Sequence, residues 1–147
     1  MESLQAALTR LQETLSELDG VLAEEIKQLS GATIHPVSLQ HLSDMKSRLL
    51  ATVAWHDEQR KQQEDRLQLF APYQPQPALA AQWSVMLPMI KRASEMNQQT
   101  RQLLEMHLQR ARHLTRAIDK TAAAPGLYTA GGQSDSNGST RAYDITI

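Results

Sequence analysis

The side chains able to carry chemistry in this chain of 147 residues are five histidines, sixteen Asp and Glu, and fifteen Lys and Arg, with no cysteine. Metal binding on one helix calls for two imidazoles four residues apart, and His35, His41, His56, His107 and His113 include no such pair. A carboxylate-bridged metal pair in a helical bundle calls for Glu-x-x-His on facing helices, and that motif does not occur. Nor is there a His-Glu-x-x-His zinc motif, a glycine-rich phosphate loop, a dinucleotide fingerprint or a Gly-x-Ser-x-Gly elbow. The expectation is a binding protein rather than an enzyme, with no metal and no cofactor, its histidines serving as polar surface or flank residues.

Charge points the same way. A net charge of -1 creates no broad positive field of the kind that nucleic acids or anionic membranes need. Arg101, Arg110, Arg112, His113, Arg116 and Lys120 do gather in one region. Glu105 and Asp119 interrupt them and no aromatic platform accompanies them, so they are read as complementing a helix dipole and aiding solubility. The polar start Met1-Glu2-Ser3-Leu4-Gln5 is unlike a secretory signal, and no stretch approaches the roughly 20 apolar residues of a membrane span. The absence of cysteine is compatible with a reducing compartment, and a soluble, cytoplasmic chain without membrane insertion is expected.

Helices are what remains to position a binding surface. Hydrophobic residues make up 41% of the chain but aromatic ones only 4%, so packing falls to Leu, Ala, Met, Val and Ile. Leu4, Leu8, Leu11, Leu15, Leu18 and Leu22 recur in alternating steps of four and three, one narrow helical seam. Ile26 and Leu29 extend its face past Glu25, and the first helix is expected over about residues 3–30, stopping at Ser30-Gly31. A second is expected over 38–70, with Ser38 as its cap and a seam through Leu39, Leu42, Lys46, Leu49, Val53, His56, Arg60, Gln63, Leu67 and Phe70. His56 to Arg66 holds no apolar residue, which reads as a solvated face or an extension beyond the bundle. If the two helices pair antiparallel, Leu4 to Leu15 then face polar residues and need another cover, a folded-back third helix or a second subunit.

Pro72, Pro75 and Pro77 form a linker, and a third helix follows over 78–124, with a kink or a break at Pro88. Its stripe of Ile90, Ala93, Asn97, Thr100, Leu104, His107, Ala111, Leu114 and Ile118 is flanked by Met89, Met96, Leu103, Leu108 and Ala117. Met86, Met89, Met96 and Met106 suit a surface that repacks against a partner, or equally a bundle core. Residues 1–124 thus read as one helical domain and 125–147 as a flexible tail. Two apolar islands lie in that tail, Leu127-Tyr128 and Tyr143-Asp144-Ile145-Thr146-Ile147, the second alternating as an added strand or docking peptide would. The fold class is all-α, an elongated antiparallel bundle or coiled coil of three long helices.

Several segments, in order, carry a resemblance. Lys46-Ser47-Arg48-Leu49-Leu50-Ala51-Thr52, the Gln- and Arg-rich stretch after it, Trp83 beyond the linker, Met96 to Glu105, Leu127 to Gln133 and the Ile-Thr-Ile end together resemble the FlgN family of flagellar export chaperones. The resemblance implies a chaperone that binds the C-terminal regions of hook-associated proteins, prevents their early assembly and delivers them to the export gate, with the export ATPase complex as a further partner. It implies client binding along Met96 to Ile118, and gate docking at Tyr128. Met96, Leu103, Leu104, Leu108, Ala111, Leu114 and Ile118 are the expected apolar contacts, with Asn97 and Thr100 fixing register by hydrogen bonds. A structural or regulatory coiled-coil subunit of another secretion or signalling assembly is the alternative, and self-association through the third helix stays open.

Overall fold

The computed structural model describes residues 1–120 and 143–147, and these form three helices: α1 (Glu2–Leu29), α2 (Pro36–Leu67) and α3 (Pro77–Asp119). Among the described residues no helix is long and apolar enough to cross a membrane. Helix α1 packs against both of the others. The Lys46–Glu25 ion pair and the Gln28–Ser38 hydrogen bond set α2 antiparallel to α1. Gln82 bonds Thr9 and Gln12, Arg92 pairs with Asp19, and His107 reaches Leu29, so α3 runs parallel to α1. The bundle is all-α, up-down-up, as the helical patterning predicts.

The leucine seam is its axis. Leu4, Leu8, Leu11, Leu15, Leu18 and Leu22 are each at most 1% exposed. Ala7, Thr14, Val21 and Leu29 are buried beside them, so the covered face is wider than one neighbour could bury. The folded-back third helix supplies the missing cover: Leu79, Trp83 and Met86 join the leucines in one core, with Tyr73 from the linker. Glu25, the next seam position, stays buried because Lys46, on the facing seam of α2, lies 3.2 Å from it. A charge removed from water this far needs such a partner.

Helix bounds differ from expectation where proline and backbone geometry intervene. Helix α2 begins two residues before Ser38, with Pro36 in its first turn, where a missing N–H costs nothing. Ser38 therefore does not cap; its hydroxyl accepts from Gln28 Nε2 at 2.8 Å. The helix stops at Leu67, because Gln68 turns into the left-handed region (φ 51°), and Phe70 is left 48% exposed. Pro77 opens α3 rather than ending the linker, and Pro88 lies inside one uninterrupted helix instead of starting another. The last residues of the expected third helix, 121–124, lie outside the described residues.

The charged run of α2 is not a solvated extension. Asp57, Arg60 and Glu64 are 4%, 1% and 5% exposed, because they face the linker and α3 across the bundle. Arg60 donates from Nε to Asp57 Oδ1 at 2.7 Å, from Nη1 to Glu64 and to the Tyr73 hydroxyl, and from Nη2 to the Tyr143 carbonyl at 3.0 Å. Its guanidinium also sits 4.9 Å from the Trp83 ring centre, a cation–π contact. Burial works against the guanidinium charge, yet the Tyr73 hydrogen bond and Asp57 hold its pKa above the usual value. Glu64 in turn accepts the Ala71 N–H at 3.0 Å, tying the linker down. A spacing of three to four residues places all three charges on one face, and the planar fork of arginine can serve several acceptors at once.

The end of the chain joins this cluster. Tyr143 stacks edge-on against Trp83 at 6.1 Å, Lys61 pairs with Asp144, and Ile145 and Ile147 pack on the core. The expected tail is thus docked over 143–147, without forming a strand.

Burial separates two leucines of identical chemistry. Leu11→Ala should lower unfolding free energy by about 2–5 kcal/mol in urea titrations, while Leu114→Ala should change it by less than about 0.5 kcal/mol. Tyr73 supplies a pH test. Burial, partly opposed by its hydrogen bond with Arg60, pushes its pKa up from 10.0 to about 12. The folded state therefore holds that proton more tightly, so the stabilisation is complete below the ordinary value and is lost as pH rises through the folded one. Thermal unfolding followed from about pH 9 to about pH 12 should show a smaller alkaline loss for Tyr73→Phe than for the parent.

Candidate functional site: the apolar stripe of helix α3

Helix α3 has 43 residues and α1 has 28, so at 1.5 Å per residue α3 is longer by roughly 20 Å. Their parallel start means that the excess protrudes at one end. A single apolar stripe runs along the whole of α3, through Leu79, Trp83, Met86, Ile90, Ala93, Asn97 and Thr100 to Leu104, His107, Ala111, Leu114 and Ile118. The face is continuous, but its burial is not.

The first half is covered by α1. Met96, Asn97 and Thr100 belong to this part, at 9%, 4% and 0% exposure. Three of the nine expected client contacts are therefore packed within the bundle, and the Thr100 hydroxyl, Glu25 Oε1 and Gln28 Oε1 are buried there without hydrogen-bond partners. Near the C-terminal end of α1 the packing between the helices is therefore partly polar, unlike the leucine layers below it.

The transition falls at His107, whose Nε2 lies 2.7 Å from the carbonyl oxygen of Leu29, the last residue of α1. That carbonyl has no acceptor role left within its own helix, and the imidazole satisfies it. Of the other contacts, Leu103 is half-buried, while Leu104 and Leu108 are 42% and 51% exposed, Ala111 is exposed, and Leu114 and Ile118 are 65% and 62% exposed. Beyond His107 the helix carries Arg110, Arg112, Arg116 and Lys120 against Asp119. The result is a protruding helix with an apolar stripe and basic flanks. Such a surface can receive the apolar face of another helix, preferably one with acidic margins.

The histidines hold no shared site, and among the described residues no three His, Asp or Glu side chains are grouped to hold a metal ion. His56 lies toward α1, where burial first and the charge of Arg10 second lower its pKa, against the opposing effect of Glu13. Tyr128, the residue expected at the export gate, lies outside the described residues.

A second concavity was not foreseen. Glu17, Gly20, Val21 and Glu24 of α1 and His41, Leu42, Met45, Arg48 and Leu49 of α2 line a broad, mostly apolar groove. Gly20 deepens it, since a Cβ there would meet nothing within 4 Å. The only sequence signal was a glycine placed within a strongly helical run.

Comparison with known proteins supplies the remaining evidence. The model of the family described as "FlgN protein" matches residues 1–136. The chain is 33% identical over 118 residues to a flagella synthesis protein FlgN of Yersinia enterocolitica, covering 80% of this chain and 78% of that one. A Proteus mirabilis protein of the same name is 28% identical over 133 residues, 90% of each chain. One from Salmonella typhimurium is 29% identical over 133 residues, 90% of this chain and 91% of its own. No solved structure gives a significant match. With a family match spanning all three helices and relatives aligned over most of their length, the chain belongs to the FlgN family.

Proposed function

We propose that this protein acts in flagella synthesis as a cytoplasmic export chaperone. It binds the C-terminal regions of hook-associated proteins, prevents their premature assembly and delivers them to the export gate. The observation that carries this reading is the α3 stripe, which continues past the end of α1 and becomes solvent-exposed without losing its apolar character. A helix that served only its own bundle would have no reason to keep leucine and isoleucine at one face beyond its last neighbour. Membership of the family, and the flagella synthesis role in the names of its relatives, supply the biological setting.

In this mechanism Leu104, Leu108, Ala111, Leu114 and Ile118 form the contact, with Leu103 at its edge. Met96, Asn97 and Thr100 seat the stripe on the bundle and join the contact where a client helix displaces the polar layer. A client segment that folds on binding loses about 2–5 kcal/mol of the gross interaction energy to ordering, which keeps the complex reversible and suits later release. The basic flank raises the encounter rate with acidic client helices more than it raises affinity.

Leu104→Asp combined with Leu114→Asp should weaken binding of a hook-associated protein by at least about 30-fold in calorimetric titrations while leaving the thermal midpoint nearly unchanged. Unchanged affinity would sink the assignment, and a stable dimer that ignores the client would assign the stripe to a second copy. Tyr128 carries gate docking in the same proposal. Tyr128→Ala should lose binding to the isolated gate protein while keeping client affinity; retained gate binding would remove Tyr128 from the mechanism.

A further inference from the structure

The last five residues are seated on a surface most of whose polar contacts do not depend on them. Arg60 keeps Asp57, Glu64 and Tyr73 as partners whether or not Tyr143 is present. Trp83 is fixed independently by Tyr73, edge-on at 5.7 Å, and by the guanidinium above it. Lys61 has Asp57 at 3.4 Å as a second carboxylate. Such a surface is preorganised: its polar groups are already oriented, so a peptide that lands on it need not order them.

What it offers is also specific. Arg60 Nη2 presents a donor to a backbone carbonyl, filled by Tyr143. The Trp83 ring takes an aromatic edge, filled by the Tyr143 side chain. Lys61 takes a carboxylate one residue on, filled by Asp144, and the core beyond takes two aliphatic side chains at alternate positions, Ile145 and Ile147. Alternation of this kind is how an extended segment presents every second side chain to one surface. The seated segment itself is only partly covered, with Ile145 and Ile147 half-buried. It forms no strand, Tyr143 is 43% exposed, and the Asp144 side chain is 35% exposed. A partly exposed terminal segment with no backbone ladder opens below the free energy of global unfolding.

We propose that Arg60, Lys61 and Trp83, with the apolar core beside them, form a peptide-binding site for extended segments of the pattern aromatic–acidic–aliphatic–x–aliphatic, and that the protein's own Tyr143–Ile147 occupies it as a releasable ligand. Covalent attachment raises the local concentration of this ligand, so modest intrinsic affinity suffices to keep the site filled. The site lies at the opposite end of the bundle from the exposed α3 stripe: Trp83 and Lys120 are separated by about 55 Å of helix. It is therefore a separate binding site, independent of the client surface.

The test uses the full chain with Trp55→Phe, so that Trp83 alone reports; Trp55 is 61% exposed and its loss should be tolerated. Adding Ile145→Asp and Ile147→Asp should shift Trp83 emission to the red. Titration of the acetylated pentapeptide Tyr-Asp-Ile-Thr-Ile should then restore it saturably, whereas the chain with its native end should bind the peptide at least about 10-fold more weakly because the site is filled. Lys61→Glu in the released variant should weaken the peptide by about 2- to 5-fold, and the peptide with Lys in place of Asp should recover the loss. Unchanged Trp83 emission, equal peptide binding by both chains, or indifference to Lys61→Glu would each overturn the proposal.

Circular dichroism checks folding of the isoleucine variants. If they unfold, the intact end carries the test: Lys61→Glu and Asp144→Lys should each shift Trp83 emission and their combination should restore it, and failure of the pair to restore it overturns the proposal.

Discussion

The structure depends on burying one face of one helix. The six leucines of α1 recur at steps that keep them on a single seam, and each contributes roughly 1.5–3 kcal/mol only if water is excluded from it. A single antiparallel partner cannot do this, because the part of α2 that faces the first turns of α1 is charged. Cover must come from the other side, so α3 is obliged to return parallel to α1 and lay Leu79, Trp83 and Met86 along it. The direction of α3, and the end from which it protrudes, follow from that requirement.

Arg60 is the second consequence. Helix α2 brings a charged face toward the linker and α3, and those charges become tolerable only by satisfying each other. Burying ions costs more than their attraction alone returns unless hydrogen bonds complete the site, and here Asp57, Glu64, Tyr73 and the Tyr143 carbonyl do so. The cluster joins the end of α2, the linker, the start of α3 and the last residues of the chain, elements that also meet in the apolar core. The lower end of the bundle is held by leucine and by the Arg60 network, with Trp83 Nε1 buried there without a hydrogen-bond partner. The upper part of α1 meets α3 through Asn97, Thr100 and unpartnered buried oxygens. The leucine and Arg60 layers thus lie far from the exposed stripe, and the polar contacts of Asn97 and Thr100 lie next to it.

Membership of the FlgN family gives this asymmetry a setting. On the chaperone reading proposed above, the covered part of α3 would serve as the platform and its exposed end as the surface that takes and releases a client. The apolar groove between α1 and α2, centred on Gly20, is distinct from both.

Much of the fold was legible from spacing. The alternating leucines defined α1, the prolines bounded the linker, and the run from Ile90 to Ile118 defined the stripe, because the helical period is a local property that each residue expresses without its neighbours in space. Helix ends are less legible: the expected starts of the second and third helices fall after Pro36 and Pro77, although proline is well suited to a first turn, and Gln68 gives no sign of its left-handed conformation. The charged run from His56 to Arg66 was read as solvated because its partners, Tyr73, Trp83 and Tyr143, are distant in sequence. The alternating apolar end from Tyr143 to Ile147 is legible as a docking peptide, but the site that it meets is assembled from α2 and α3 and is not. The sequence by itself determined which faces are apolar and how long each helix is. Only the tertiary structure decided which part of the α3 stripe is covered, since that depends on the direction in which α3 returns along α1, and this is not written in any local period.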